Sequence, residues 1–145
     1  MSVRRLEHVG VVVDDLAGAT AFFVALGLEV EGEASVEGRA VDRINGLEGV
    51  RADVVILRTP DDGSKLELAR YRSPSYDGDH GPAAPNVPGI RHILFRVDHI
   101  EASLAALQAH GGELVGELVN YENSYWLCYV RGPAGIIVEL AQKID

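Results

Sequence analysis

Cysteine is almost missing from this chain: Cys128 stands alone among 145 residues. No intrachain disulfide is possible, and an oxidising compartment is not implied. Lysine is nearly as scarce. Only Lys65 and Lys143 occur, so the cationic side chains are almost all arginines, which suit bidentate contacts with carboxylate or phosphate. Positive charge as a whole is in deficit, with a formal net charge of −9. A polyanion needs a basic face, so nucleic acid is not an expected partner, while a small anionic ligand held by one or two local arginines stays open. No apolar run is long enough to span a bilayer. The opening Met1-Ser2-Val3-Arg4-Arg5 leads into a strand-like stretch without the apolar core of a signal peptide. A cytoplasmic protein that does not engage a membrane is the expectation, built as one domain or as two small modules sharing a core.

What is present is one frame written twice. Leu6-Glu7-His8-Val9-Gly10-Val11-Val12-Val13-Asp14-Asp15-Leu16 overlays Ile90-Arg91-His92-Ile93-Leu94-Phe95-Arg96-Val97-Asp98-His99-Ile100 at an offset of 84 residues. The offset also carries Gly27 onto Gly111, Gly32 onto Gly116 and Glu33 onto Glu117. Each copy closes on a similar run, Lys65-Leu66-Glu67-Leu68-Ala69 and Ile137-Val138-Glu139-Leu140-Ala141.

Period-two alternation makes each opening a strand, with Val9, Val11 and Val13, or Ile93, Phe95 and Val97, on the face that meets a helix. A helix follows in each copy. Asp14 or Asp15 caps the first, Leu16, Thr20 and Phe23 line it, and Gly27 stops it. Asp98 with Glu101 reads as a capping box for the second, lined by Ile100, Leu104 and Leu107 and ended by Gly111. Strands come next: Leu28–Val30, then Asp53–Arg58 paired with Lys65–Arg70 through the turn 59–64; and Leu114–Val119, then Tyr125–Val130 paired with Ile136–Leu140 through Arg131-Gly132-Pro133-Ala134-Gly135. The order is β-α-β-β-β in each copy. The modules are expected at 1–70 and 90–145, joined by a Pro/Gly-rich linker at 71–89. The first copy carries about 12 extra residues near Val36 to Arg51, either a short helix over the site or a surface excursion.

Alternation turns Glu67 away from Leu66 and Leu68, and Glu139 away from Val138 and Leu140, onto the faces that carry His8 and His92. Taken singly, a strand histidine is more often a satisfied core group, and a lone glutamate a solvated one. The recurrence of the pair makes His8, Glu67, His92 and Glu139 a candidate ligand set for one divalent metal. His80, His99 and His110 read as surface residues, and Cys128 as inert packing. Arg96, four residues after His92 on the same strand face, is either a substrate anchor for carboxylate or phosphate, or an exposed or carboxylate-paired strand arginine. Either Tyr125, Leu127 and Tyr129 or Trp126 and Cys128 share the face of Glu139.

With these residues, from Leu6 to Ala141, the chain resembles the vicinal oxygen chelate superfamily of glyoxalase I, methylmalonyl-CoA epimerase, extradiol dioxygenases and bleomycin or fosfomycin resistance proteins. The family-like features are the Leu-Glu-His-Val-Gly opening, Leu26-Gly27-Leu28, and the run from Val130 to Leu140. The resemblance implies an α+β fold of two βαβββ modules, each a curved mixed sheet with a helix on its outer face, forming a metal-binding cup. It implies ligands at His8, Glu67, His92 and Glu139, a pattern similar to bacterial-type glyoxalase I, and a zinc, nickel, cobalt, manganese or iron ion. A Lewis acid there would acidify a C–H of a chelated small carbonyl substrate, with Glu139 as the base and Glu67 as the alternative. Val12 and Tyr71 stand where bacterial glyoxalase I has an Arg and an Asn for glutathione, which turns expectation towards another substrate.

The expected function is therefore a metal-dependent lyase or isomerase that enolises a small carbonyl compound. The alternatives are an Fe(II)- or Mn(II)-dependent dioxygenase and a non-catalytic, resistance-type binding protein. Superfamily members often pair modules between chains, so a homodimer is expected by analogy.

Overall fold

A computed structural model describes residues 2–61 and 63–145. Asp62, in the turn expected at 59–64, lies outside the described residues, as does Met1. The chain divides into two compact units, Met1–Asp79 and His80–Asp145.

In the first unit β1 (Val9–Val12), α1 (Leu16–Leu26), β2 (Glu29–Glu37), α2 (Arg39–Asn45), β3 (Arg51–Arg58) and β4 (Lys65–Ser73) follow in order. The sheet runs β1-β4-β3-β2, with β1 parallel to β4 and the other pairs antiparallel. The second unit holds β5 (His92–Arg96), α3 (Ile100–Ala109), β6 (Glu113–Leu114), β7 (Val119–Tyr121), β8 (Tyr125–Arg131) and β9 (Ile137–Lys143). Its sheet runs β5-β9-β8-β6, β7 also pairs with β8, and β5 is parallel to β9. Each unit is thus α+β with a mixed sheet, as expected from the repeated β-α-β-β-β order. The parallel pair arises because the helix carries the chain across the sheet, whereas hairpins join the antiparallel pairs β3–β4 and β8–β9, and β2 reaches its antiparallel partner β3 through α2.

One face of each sheet packs against the helix that follows its first strand. Val11, Val55, Leu57, Leu66 and Leu68 form that layer with Phe22 and Phe23 of α1, all buried. Val130, Val138 and Leu140 form it with Ile100, Leu104 and Leu107 of α3. The stripe on α3 is the expected one. On α1 the buried stripe is Ala19, Phe22 and Phe23, while Leu16 and Thr20 are only half-buried. Thr20 turns its hydroxyl back to donate to the Leu16 carbonyl at 2.7 Å, and the small Ala19 lets the helix approach the sheet.

The caps also differ. Asp15 caps α1, its carboxylate accepting from the Gly18 N–H at 2.9 Å. The expected Asp98–Glu101 capping box does not form: His99 is the N-cap of α3 and makes no side-chain cap bond. The Ile100 N–H donates instead to the Gln142 side-chain oxygen of β9 at 2.8 Å, so tertiary structure supplies an acceptor. Gly27 ends α1 at φ 121°, and Gly111 follows α3 at φ 89°, values that a side chain would strain.

The extra residues of the first copy fold as α2, with no buried residue of their own. Asp42 ties them down by accepting from the Gly49 and Val50 N–H groups at 3.0 and 2.8 Å. The Tyr71 hydroxyl donates to the Asn45 side-chain oxygen at 2.6 Å. β4 runs on to Ser73, so Tyr71 belongs to the strand that carries Glu67.

Candidate functional site

Strand register explains how each unit builds its part of the site. Gly10 is paired with Glu67, and Leu94 with Glu139. In both units the residue two after the histidine therefore lies beside the glutamate. Period two places that histidine on the same face as its glutamate, one diagonal step away. His8 Nε2 stands 3.7 Å from Glu67 Oε2, and His92 Nε2 stands 3.3 Å from Glu139 Oε1. The side chains are accessible on the face away from the helix, at 42% exposure for both histidines, 33% for Glu67 and 13% for Glu139.

The 3.3 Å spacing of the second pair suits a shared cation, and the 3.7 Å of the first is a few tenths of an ångström wider. Donors bound at about 2.1 Å to one ion stand about 3.0 Å apart at right angles and about 3.4 Å apart at the tetrahedral angle. An imidazole nitrogen and a carboxylate oxygen are also the donors that borderline divalent ions take. Among the described residues no group of three or more His, Cys, Asp or Glu is drawn together closely enough to hold a metal. Within each unit the candidate ligands form one His/Glu pair.

The surroundings of the pairs differ. Ile56 is opposite Glu67 on β3, and Gly32 is opposite Ile56 on β2, so the first pair has low walls. Opposite Glu139 on β8 is Tyr129, whose ring lies 5.1 Å from that of His92. This register decides which alternating set of β8 shares the site face: Tyr125, Leu127 and Tyr129 do. Cys128 points to the helix side, is 3% exposed, and has its thiol pKa pushed up, first by burial and then by the charge of Glu139. That is the behaviour of an inert packing cysteine.

Arg96 ends β5 on the site face. Its guanidinium lies over the Tyr125 ring, 5.8 Å from the centroid. Arg51, Arg58 and Arg72 instead pair with Glu37, Glu29 and Asp53. The other histidines are exposed, and His110 stays at the end of α3 with Nδ1 3.1 Å from the Ala106 carbonyl. The tyrosines of β8 are the site-face residues that sequence alone left undecided. The signal that finds them is the cross-strand register with Glu139, which depends on the length of the intervening hairpin.

Two α+β units with mixed sheets, each presenting a His/Glu pair on its helix-free face, define a duplicated glyoxalase-like protein. The chain belongs to the glyoxalase/bleomycin resistance protein/dioxygenase superfamily, whose family model matches residues 7–143. A crystal structure of a glyoxalase family protein from Bacillus cereus is similar at 40% identity and a TM-score of 0.95, covering 100% of this chain and 97% of that one. The uncharacterized protein YaeR of Escherichia coli (strain K12) is 24% identical over 144 residues, 99% of each chain. The fosfomycin resistance protein FosX of Listeria monocytogenes shares the fold, with a TM-score of 0.62 at 16% identity, covering 96% of this chain and 93% of that one. No helix among the described residues is long and apolar enough to cross a membrane.

Proposed function

We propose that the protein is a metal-dependent lyase or isomerase of the glyoxalase type, acting on a small carbonyl substrate in the cytoplasm. His8, Glu67, His92 and Glu139 supply the ligands of one divalent ion, zinc, nickel, cobalt, manganese or iron, with the two pairs brought together within one chain or across a homodimer. The observation that carries this reading is the repeated register: Gly10 beside Glu67 and Leu94 beside Glu139 put a His/Glu donor pair on the open face of both sheets, 3.7 and 3.3 Å apart.

Held by these residues, a divalent ion would supply Lewis acidity to a substrate carbonyl and its neighbouring C–H. The chain's own contribution is a base and its placement. Glu139, the more shielded carboxylate at 13% exposure, accepts the proton, and Glu67 is the alternative base. The Tyr129 ring against His92 limits the orientations open to that imidazole and sheds water from one side of the pair.

Elemental analysis of protein purified without chelator, followed by titration of chelated protein with zinc, nickel and cobalt, tests the ligand set. One ion per chain is expected, lost in the His8→Ala/Glu139→Ala double variant. The metal-loaded protein should exchange the C3 protons of 2-oxobutanoate for deuterium. Failure of the protein either to retain or to take up any ion overturns the proposal. Oxygen uptake with reduced iron in place of proton exchange would transfer it to the dioxygenase reading.

A further inference from the structure

The second unit carries an array along its site face that the His/Glu pair alone does not use. His92, Leu94 and Arg96 follow one another on that face of β5. Tyr129, Leu127 and Tyr125 run alongside on β8, with β9 between the two strands. Tyr129 lies across from Glu139, and Leu127 across from Ala141, which is also the partner of Arg96. A tyrosine therefore stands by the imidazole at one end, a second tyrosine underlies the guanidinium at the other, and the middle is aliphatic. Leu94 is 50% exposed, so this middle is open to a ligand.

The chemistry changes along the array. At one end are His92 and Glu139, 3.3 Å apart. At the other is a cation over an aromatic ring, with 5.8 Å from Arg96 Cζ to the Tyr125 centroid. A contact with the ring face uses none of the guanidinium N–H groups as hydrogen-bond donors to a carboxylate, so they can serve a bidentate anion. Other arginines of the chain spend those groups on carboxylates, as Arg51, Arg58 and Arg72 do. No carboxylate pairs with Arg96 among the described residues. Four residues of strand put the two ends ~13 Å apart at the backbone, and the long Arg side chain can shorten that interval.

We infer that the substrate is a bifunctional, elongated anion: an oxygen-bearing head at His92 and Glu139, a short aliphatic middle over Leu94 and Leu127, and a terminal carboxylate or phosphate on Arg96. Tyr125 is a positioning residue beneath the guanidinium. This inference rests on the function proposed above for the head group, while the anion end stands on Arg96 and Tyr125 themselves.

The test uses two probes that differ only in the far carboxylate, 2-oxooctanedioate and 2-oxooctanoate, titrated calorimetrically into the full chain both freed of metal and loaded with zinc. A charged hydrogen-bonded pair should favour the dianion by about tenfold or more. Arg96→Gln should abolish that preference without changing zinc stoichiometry. Arg96→Lys should recover part of it, Tyr125→Phe should keep it, and Tyr125→Ala should reduce it. Equal affinity for the two probes in both metal states overturns the inference, as does a preference that survives Arg96→Gln or an absence of binding by either probe. If zinc does not bind at all, the function proposed above fails, while the ratio between the probes still reports on Arg96.

Discussion

The two units share a frame and differ in what surrounds it. His8 lies just before β1, while His92 is the first residue of β5. Glu67 is 33% exposed beside Ile56 and Gly10, and Glu139 is 13% exposed beside Tyr129 and Leu94. The first unit spends its extra length on α2 and fastens it through Tyr71 and Asn45. The second lines its open face with tyrosines and ends it on Arg96. Duplication thus preserved the donor geometry and let the walls diverge. Glu67 is flanked across the sheet by Ile56, and Glu139 by Tyr129; in the function proposed above the first pair chiefly holds the ion, and the second also faces the substrate. Glu139 is the more shielded of the two carboxylates and has Tyr129 across from it, which is the reason for proposing proton transfer at the second unit.

That asymmetry is most easily broken by exchanging one carboxylate at a time. At saturating metal, Glu139→Gln should slow proton exchange on the order of 100- to 10,000-fold, the usual worth of a positioned general base. Glu67→Gln should chiefly weaken metal binding and leave most of the exchange rate once metal is restored. Deuterium incorporation followed by NMR reads both. Equal losses at saturation would erase the assigned division of labour, and a larger loss for Glu67→Gln would reverse it.

The helix-facing layers should behave alike where the open faces do not. Leu68 and Leu140 occupy corresponding places, one residue after each glutamate, and both are fully buried. Replacing either by Ala should cost about 2–5 kcal/mol in urea unfolding, through lost burial and the cavity left behind. Similar values would support equivalence of the two cores. A loss below that range at one position would show that its surroundings collapse to fill the gap.

Much of this is legible in the sequence. The offset that carries His8 onto His92 located both first strands, both helices and both closing strands. The alternation around Glu67 and Glu139 gave their face. The pairing of Asp53–Arg58 with Lys65–Arg70 also follows from the sequence, and Asp53 is indeed opposite Arg70 and Arg58 opposite Lys65. What was not legible depends on longer-range partners. Leu28–Val30 understates β2, which runs from Glu29 to Glu37 because β3 is there to pair with it, despite glutamates at 29, 31, 33 and 37. Leu114–Val119 splits into β6 and β7. The face of Tyr129 required a register across a hairpin that contains Ala134 at φ 55°, a conformation that periodicity does not announce.

The smallest expected effect concerns the helix starts, where the repeat diverged in a way the sequence half concealed. Asp15 and His99 are equivalent by the 84-residue offset, and their backbones agree, at φ −113°, ψ 93° and φ −136°, ψ 95°. Only Asp15 places a side-chain acceptor on the third residue of its helix, the Gly18 N–H at 2.9 Å. A Cβ at Gly18 would collide with that carboxylate, and Ala102 stands at the equivalent place in α3. The first helix therefore keeps a glycine that lets its cap close, while the second keeps a better helix former and draws an acceptor from Gln142. Asp15→Ala should cost about 1 kcal/mol in chemical denaturation. His99→Ala, which removes no cap bond, should stay within about 0.5 kcal/mol of the parent. Equal costs at the two positions would mean that His99 stabilises its helix by a route other than capping. A cost for Gln142→Ala exceeding that of His99→Ala would locate the working acceptor of α3 on the sheet.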